Sequence, residues 1–382
     1  GSAEAAGFRS FRARAERVYR TLEGPFMRSQ RPTAFSLTAG AGLKGLSEMW
    51  GVSPFTTLWK AIGEHFRDPR LRQLFARYAT YSGSSPFQSP ATLMLIAHVE
   101  EQGVWTVEGG MARLIGVIAG LATRLGVTVR TNAHVKEIVV RDKRAEAVRL
   151  MDGERIDSDA IICNADFAAL SAGLFGGAVN RAVPAARPSA RSLSAVTWCI
   201  AGATAGFPLK HHNVFFGRDY KAEFDDIFRR GRLPADPTVY VCAQDRDDSG
   251  HASVGHTERL LVLVNAPATG GERDFSQAEI DRCATRTFDL LARCGLTVER
   301  RPESTETMTP AGFARLFPAT GGALYGQAVH GALAAFRRPG ARSTIRGLYL
   351  AGGSVHPGPG MPMAALSGRL AAESLLEDLT SG

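Results

Sequence analysis

Between residues 8 and 30 the apolar positions Phe8, Phe11, Ala15, Val18, Leu22 and Phe26 recur at three- and four-residue spacing, which predicts an amphipathic helix. The same period returns over 55–78, where Asp68-Pro69 reads as an N-cap followed by proline at the first helical position. A turn-rich loop at 81–90 leads to another apolar helix at 91–101. From residue 104 the pattern changes. A strand is expected at 104–107, a turn at Glu108-Gly109-Gly110, and then a helix of small and branched residues that Gly126 closes. Short alternating runs at 127–130, 133–141, 145–152 and 158–163 predict strands, with a turn at Asp152-Gly153. Helix and strands in this order are an α/β pattern.

Residues 167–330 read as a separate lobe. Strands are expected at 195–199, 238–243, 260–265 and 298–301, a helix at 277–294, and an amphipathic surface helix at 218–228. The chain then returns to a short apolar run, 348–351, a loop rich in glycine and proline, and a helical pattern over 363–377. Strand, glycine loop and helix in sequence bring bare backbone amides and a helix N-terminus to one point, which suits an anionic or electron-rich group. The expected division is a helical, substrate- and membrane-facing part at 1–102, cofactor-domain segments at 103–170 and 336–382, and a substrate domain at 171–335. A cleft between two such domains is the usual ligand site.

Length, at 382 residues, allows two domains with substantial cores. The net charge of +8 favours anionic partners, yet Arg229-Arg230 and Arg337-Arg338 are too short and scattered for a nucleic-acid stripe and read as a solvated surface. No apolar run reaches the roughly 18 residues of a spanning helix, and no signal peptide is visible. Five cysteines (Cys163, Cys199, Cys242, Cys283, Cys294) without CxxC spacing suit buried or free thiols rather than a disulfide frame. His211-His212 and His251/His256 lack a coherent set of carboxylate or cysteine ligands, so no metal site is expected. Gly40-Ala-Gly-Leu-Lys-Gly45 matches GxGxxG in form, but no strand precedes it, so it reads as a loop between helices.

Five stretches carry a resemblance: 68–83 (Asp-Pro-Arg-Leu-Arg through Tyr-Ser-Gly), Pro90-Ala91, Gly103-Val-Trp-Thr-Val-Glu-Gly-Gly-Met111, Asp159-Ala-Ile-Ile-Cys-Asn-Ala-Asp166, and above all Leu348-Tyr-Leu-Ala-Gly-Gly-Ser-Val-His-Pro-Gly-Pro-Gly-Met-Pro-Met363. With these in view the chain resembles, over nearly its whole length, the carotenoid desaturase branch of the FAD-dependent amine-oxidase-like oxidoreductases. The wording of 70–81 and of Ser354-Val-His-Pro-Gly-Pro-Gly360 favours members that form a C3–C4 double bond in 1-hydroxy or 1-methoxy acyclic carotenoids. Phytoene desaturase or a carotene isomerase-like flavoprotein is the alternative within the fold, and a non-catalytic lipid-binding fragment the alternative outside it. The family begins with a βαβ unit carrying GxGxxG, ahead of the region matching Gly1, and this chain reads as a member cut after that ADP-binding half-domain.

The resemblance implies an α/β, two-domain fold: a Rossmann-like FAD-binding domain lacking its first βαβ unit, with an inserted mixed-sheet and helix substrate domain. It implies FAD as cofactor, held by Gly352, Gly353 and Ser354 near the pyrophosphate and ribitol, by Gly360, Met361, Pro362 and Met363 along the flavin ring, and by Val135 at adenine. Glu108-Gly109-Gly110 would allow close helix–strand packing in the same domain. His356 is the candidate catalytic residue, a local hydrogen bond being its alternative role. A carotenoid substrate implies a tunnel drawn from Phe35, Phe55, Trp59, Phe66, Phe215, Phe216 and Phe317. A quinone or oxygen is the expected electron acceptor. Arginine-rich helices between Phe8 and Arg77 suit peripheral attachment to an anionic bacterial inner or intracytoplasmic membrane from the cytoplasmic side, or else form a solvated face.

Overall fold

The computed structural model describes residues 1–30, 32–33, 55–247 and 257–381. The Gly40–Gly45 run, Phe35, His251 and His256 lie outside the described residues. In chain order the helices are α1 (Ser2–Leu22), α2 (Leu58–Gly63), α3 (Pro69–Ala76), α4 (Leu95–Glu101), α5 (Met111–Arg124), α6 (Phe167–Ser171), α7 (Tyr220–Phe228), α8 (Gln277–Arg293), α9 (Pro310–Leu316) and α10 (Met361–Ser381). The strands are β1 (Val135–Arg141), β2 (Arg144–Leu150), β3 (Arg155–Asp157), β4 (Ile161–Cys163), β5 (Ser194–Gly202), β6 (Thr204–Gly206), β7 (His212–Phe215), β8 (Val239–Ala243), β9 (Glu258–Ala266), β10 (Leu296–Val298), β11 (Thr305–Met308) and β12 (Leu348–Leu350).

The largest sheet runs β11-β5-β9-β8-β7 and is antiparallel at every pairing. Alternating branched residues form it: Val239, Val241, Leu260, Val262 and Val264 turn inward from β8 and β9. Amphipathic α8 covers that face with Ile280, Cys283, Leu290 and Leu291. Its start is secured by a capping box in which Ser276 and Glu279 each satisfy the other's backbone amide. A second core joins α1, α2, α3 and the 77–82 turn to α7, centred on Phe11, Leu58, Ile62 and Phe66. As its dipeptide predicts, α3 starts with the Asp68 carboxylate accepting from the Arg70 amide and proline inside the first turn.

The remaining sheets are smaller. The β1-β2-β3 meander is antiparallel, and β12 pairs in parallel with β4 in the register Leu348↔Ile161 and Leu350↔Cys163. Both ladders meet where Arg346, entering β12, bridges in parallel to Arg144 at the start of β2.

Several expectations need correction. Residues 104–107 and 127–130 form no strand; Val104 and Trp105 are 70% and 80% exposed, and no described strand lies alongside to pair them. The strand expected at 298–301 sits at Leu296–Val298 instead, and β3, β6, β7 and β11 are unexpected because they are too short to show a period. Helix α7 is not a surface helix: Tyr220, Glu223, Phe224, Asp226 and Ile227 are buried. Its two inward carboxylates mislead a polarity count, because each is satisfied internally. Glu223 accepts from the Thr238 hydroxyl and Asn265 amide, and Asp226 from Arg230 and Arg232. Helix α5 shows the reverse. It is apolar, yet none of its residues is buried, and Ile115, Ile118 and Leu121 stand about half exposed.

Candidate functional site

The loop between β12 and α10 gathers the chemistry. Parallel β4 and β12 end side by side, so the loops after Cys163 and Ala351 leave the sheet together at its carboxyl end, where open α/β sheets bind ligands. The Asn164 amide donates to the Ala351 carbonyl at 3.1 Å, and the Gly352 amide donates to Ser367 Oγ at 3.2 Å. Gly352 has φ +118°, and a Cβ there would come within 2.8 Å of Asn164 Nδ2, so only glycine fits. Ser354 Oγ accepts from the Phe167 amide at 3.3 Å, fixing the loop to the start of α6. Gly360 has φ +108° and open space where a side chain would stand. Immediately after it begins the 21-residue α10, with no acidic residue in its first turn. Gly360, Met361 and Pro362 are exposed and Met363 is half-buried, so the N-terminal turn of a long helix faces outward with its amides available.

Beneath this loop sits Arg338. The sequence pattern placed Arg337-Arg338 on a solvated surface, but Arg338 is buried, at 7% exposure. Its guanidinium donates to the carbonyls of Gly353 (3.1 Å), Tyr325 (3.1 Å) and Gln327 (2.6 Å). Burial pulls its pKa down to about 10, and Asp166 opposes that shift. The Asp166 carboxyl, raised by its own burial, caps α6 by accepting from the Ala168 amide at 2.8 Å. Asp166, Phe167, Arg191, Thr320, Gly326 and Gln327 line a cavity of about 330 Å³ beside the loop.

His356 is likewise buried, at 4% exposure. Its Nε2 lies 3.0 Å from the Phe26 carbonyl, and the Phe26 ring meets it edge-on at 5.0 Å. Burial pushes its pKa down to about 4, so the ring is neutral and Nε2–H donates to that carbonyl. The His356 amide donates to the Pro339 carbonyl, and the His356–Pro357 bond is cis.

Other expected residues are more scattered. Val135 begins β1 opposite Leu150, at the end of the meander toward which β12 runs, because β2 and the chain entering β12 are parallel. Gly110, at φ +83°, heads α5, but no described backbone packs closely on Gly109 or Gly110. Of the tunnel candidates, Phe55 and Phe317 are exposed, Phe66 fills the helical core and Phe215 the sheet core. Trp59 and Phe216 flank the aromatic group of α7. The fold also supplies a ligand that His211-His212 lacked in sequence. Cys242, opposite His212 on β8, brings its sulfur to 3.7 Å from His211 Nε2, and the three donor atoms lie within 4.8 Å of one another. The five cysteines are all free thiols.

Arg338, Asn164 and Asp166 are the site residues that pattern reading missed as such. Asn164 and Asp166 stood inside a quoted stretch, at the mouth of a short buried strand. Nothing in the local sequence distinguishes Arg338 from its exposed neighbour.

Comparison with known proteins places this geometry. Residues 61–376 match the model of the flavin-containing amine oxidoreductases. The chain is 53% identical over its whole length to the hydroxyneurosporene desaturase of Rubrivivax gelatinosus, covering 72% of that protein. It is 45% identical to the hydroxyneurosporene desaturase of Cereibacter sphaeroides, again over all of this chain and 76% of the relative. Among solved structures, a putrescine oxidase superposes with a TM-score of 0.54 at 12% identity, over 100% of this chain and 76% of that one, which is a likeness of fold. With the β4–β12 pair, its glycine loop and most of α10 inside the matched region, the chain belongs to the flavin-containing amine oxidoreductase family, as an FAD-dependent oxidoreductase of its carotenoid desaturase branch.

Proposed function

We propose that the chain is a carotenoid desaturase that removes two hydrogens across C3–C4 of an acyclic carotenoid bearing a 1-hydroxy or 1-methoxy group. The observation that carries this is the 53% identity, over every residue of the chain, to a hydroxyneurosporene desaturase. The residues present fit FAD. Gly360, with open space where a Cβ would stand, allows backbone to approach a ligand closely, and the first turn of α10 offers amides with no competing carboxylate.

In this reading Gly352, Gly353 and Ser354 would hold the pyrophosphate and ribitol, and Gly360, Met361, Pro362 and Met363 would hold the flavin ring. Val135 contacts adenine through its backbone. When bound, FAD would supply a two-electron hydride acceptor, with a quinone or oxygen as the terminal electron acceptor. The helix N-terminus at Met361 stabilises negative charge gathering beside it. Arg338 holds the loop in shape through the Gly353 carbonyl. His356, neutral and committed to the Phe26 carbonyl, is better suited to anchoring the loop than to moving a proton.

Membrane contact through α1 is part of the proposal. Arg9 and Arg17 are exposed there, whereas Arg12, Arg14 and Arg20 are paired with Glu101, Glu64 and Glu16. No described helix is long and apolar enough to cross a membrane.

Expression in cells that accumulate single acyclic carotenoids, followed by pigment chromatography and flavin absorbance, tests the reading. The expected result is bound flavin and a longer chromophore from a C1-oxygenated carotenoid. Conversion of phytoene instead would move the protein to phytoene desaturation, and no conversion of any carotenoid by flavin-loaded protein would reject the desaturase reading.

A further inference from the structure

Among the described residues, a group away from the glycine loop brings together three side chains able to ligate a metal: His211, His212 and Cys242. The sheet register unites two of them. His212 opens the edge strand β7 directly opposite Cys242 on β8, so both side chains leave the same face of the antiparallel pair. Strict alternation would turn His211 to the other face. The chain bends there, ahead of β7, and the His211 ring comes back against Cys242. The two imidazoles meet edge-on with their centroids 4.5 Å apart.

Hydrogen bonds around the group orient its donors. His211 Nδ1 lies 2.9 Å from the Arg246 carbonyl, which can only accept, so in the neutral ring Nδ1 carries the hydrogen and Nε2 keeps its lone pair. That Nε2 is the atom 3.7 Å from the Cys242 sulfur. Arg246 is itself fixed, its amide donating to the Ala243 carbonyl at 3.1 Å and its guanidinium to the Glu258 carboxylate. An imidazole held through one nitrogen by a backbone carbonyl, with the other turned to a thiol, is the arrangement that orients histidines toward metals. His212 is placed by Tyr240, two residues before Cys242 on β8, whose hydroxyl lies 2.8 Å from its Nδ1.

The spacing suits a small cation. The three donor atoms lie within 4.8 Å of one another, so a point exists within about 2.8 Å of all three, against roughly 2.0–2.1 Å for zinc–nitrogen and 2.3 Å for zinc–sulfur bonds. Side-chain rotations that move each donor by less than an ångström close the set. One thiolate and two imidazoles select zinc over magnesium and calcium, which seek oxygen ligands. His212 is exposed, which gives an ion a way in from solvent.

We propose that His211, His212 and Cys242 form a zinc site that clamps the edge strand β7 to β8, with water as the fourth tetrahedral ligand. On binding, the Cys242 thiol gives its proton to solvent, and its contact with His211 is replaced by a bond from each to the ion. The backbone beneath is already in register, since the His211 carbonyl accepts from the Ala243 amide at 2.9 Å. The site stands apart from the desaturase reading, because none of its ligands belongs to the glycine loop.

The test uses the full chain, purified reduced and without a histidine tag, stripped with a chelator and titrated separately with Zn²⁺, Co²⁺ and Mg²⁺. The expected result is a single equivalent of Zn²⁺ bound, a thiolate-to-cobalt charge-transfer band with Co²⁺, and no response to Mg²⁺. Cys242→Ser should remove the band and weaken zinc binding at least about 100-fold, and His212→Gln, at an exposed position, at least about 10-fold. Cys199→Ser changes an exposed cysteine on β5 outside the set and should keep both the band and the affinity. Zinc should also raise the melting temperature of the wild type and leave that of Cys242→Ser unchanged. Absence of the cobalt band in the wild type, or its survival in Cys242→Ser, overturns the site. Should Cys242→Ser fail to accumulate, equal zinc affinity in His212→Gln and wild type overturns it, because the zinc is then bound by other surface groups.

Discussion

Arg338 donates to the Gly353 carbonyl at 3.1 Å from beneath the glycine loop, and its other nitrogen donates to the carbonyls of Tyr325 and Gln327. One planar guanidinium thus joins the loop to the Tyr325–Gln327 segment by a fork that lysine cannot reproduce. Arg338→Met strands three carbonyls and leaves Asp166 without its cationic neighbour, so we expect a loss of at least about 3 kcal/mol in stability and of most bound flavin. Arg338→Lys should recover part of the stability and little of the flavin. Denaturation curves and flavin-to-protein ratios check both.

Gly352 and Gly368 make a matched pair of substitutions. At Gly352 alanine meets both a φ of +118° and Asn164 Nδ2 at 2.8 Å, so Gly352→Ala should cost about 2 kcal/mol or more and weaken flavin binding. Gly368 lies inside α10 with nothing within 4 Å of a built Cβ, and Gly368→Ala should stabilise by roughly 0.5–1 kcal/mol. Thermal melts of the two variants should shift in opposite directions.

His356 gives a pH signature. Its pKa is pushed from 6.5 to about 4, chiefly by burial, with the carbonyls of Phe26 and Ser29 opposing the shift. Between those values the unfolded chain binds a proton that the folded chain does not. The contribution of this residue to stability is therefore present above its ordinary pKa and is lost as pH falls through the folded value, by roughly 3 kcal/mol. His356→Gln should flatten the slope of stability against pH across this window. Parallel slopes for wild type and variant would show that the ring titrates normally.

The exposed side of α5 predicts tolerance. Ile118 is 56% exposed, so Ile118→Gln should change stability by less than about 0.5 kcal/mol, whereas Leu291→Ala, at a fully buried position under the large sheet, should cost about 2–5 kcal/mol. A large loss at Ile118 in chemical denaturation would mean that this face is covered in solution.

Local periodicity made α1, α3, α8, α10 and the strands β1, β2, β5, β8, β9 and β12 legible, because each is long enough or apolar enough to show its period. The glycine loop was legible for another reason. Positive-φ turns at Gly352 and Gly360 and a helix start at Met361 each demand a residue type that the chain displays openly. Whether a polar side chain lies inside or outside is different, since that depends on partners far away in sequence. Arg338 is buried because Gly353, Tyr325 and Gln327 turn their carbonyls toward it, and Glu223 because Thr238 and Asn265 come to meet it. Sequence by itself determined the glycine loop, the family and the elements that carry the loop. Only the tertiary structure decided which charged residues are buried and that Cys242 joins His211 and His212. Burial and pairing are properties of contacts between distant segments, and no local pattern encodes them.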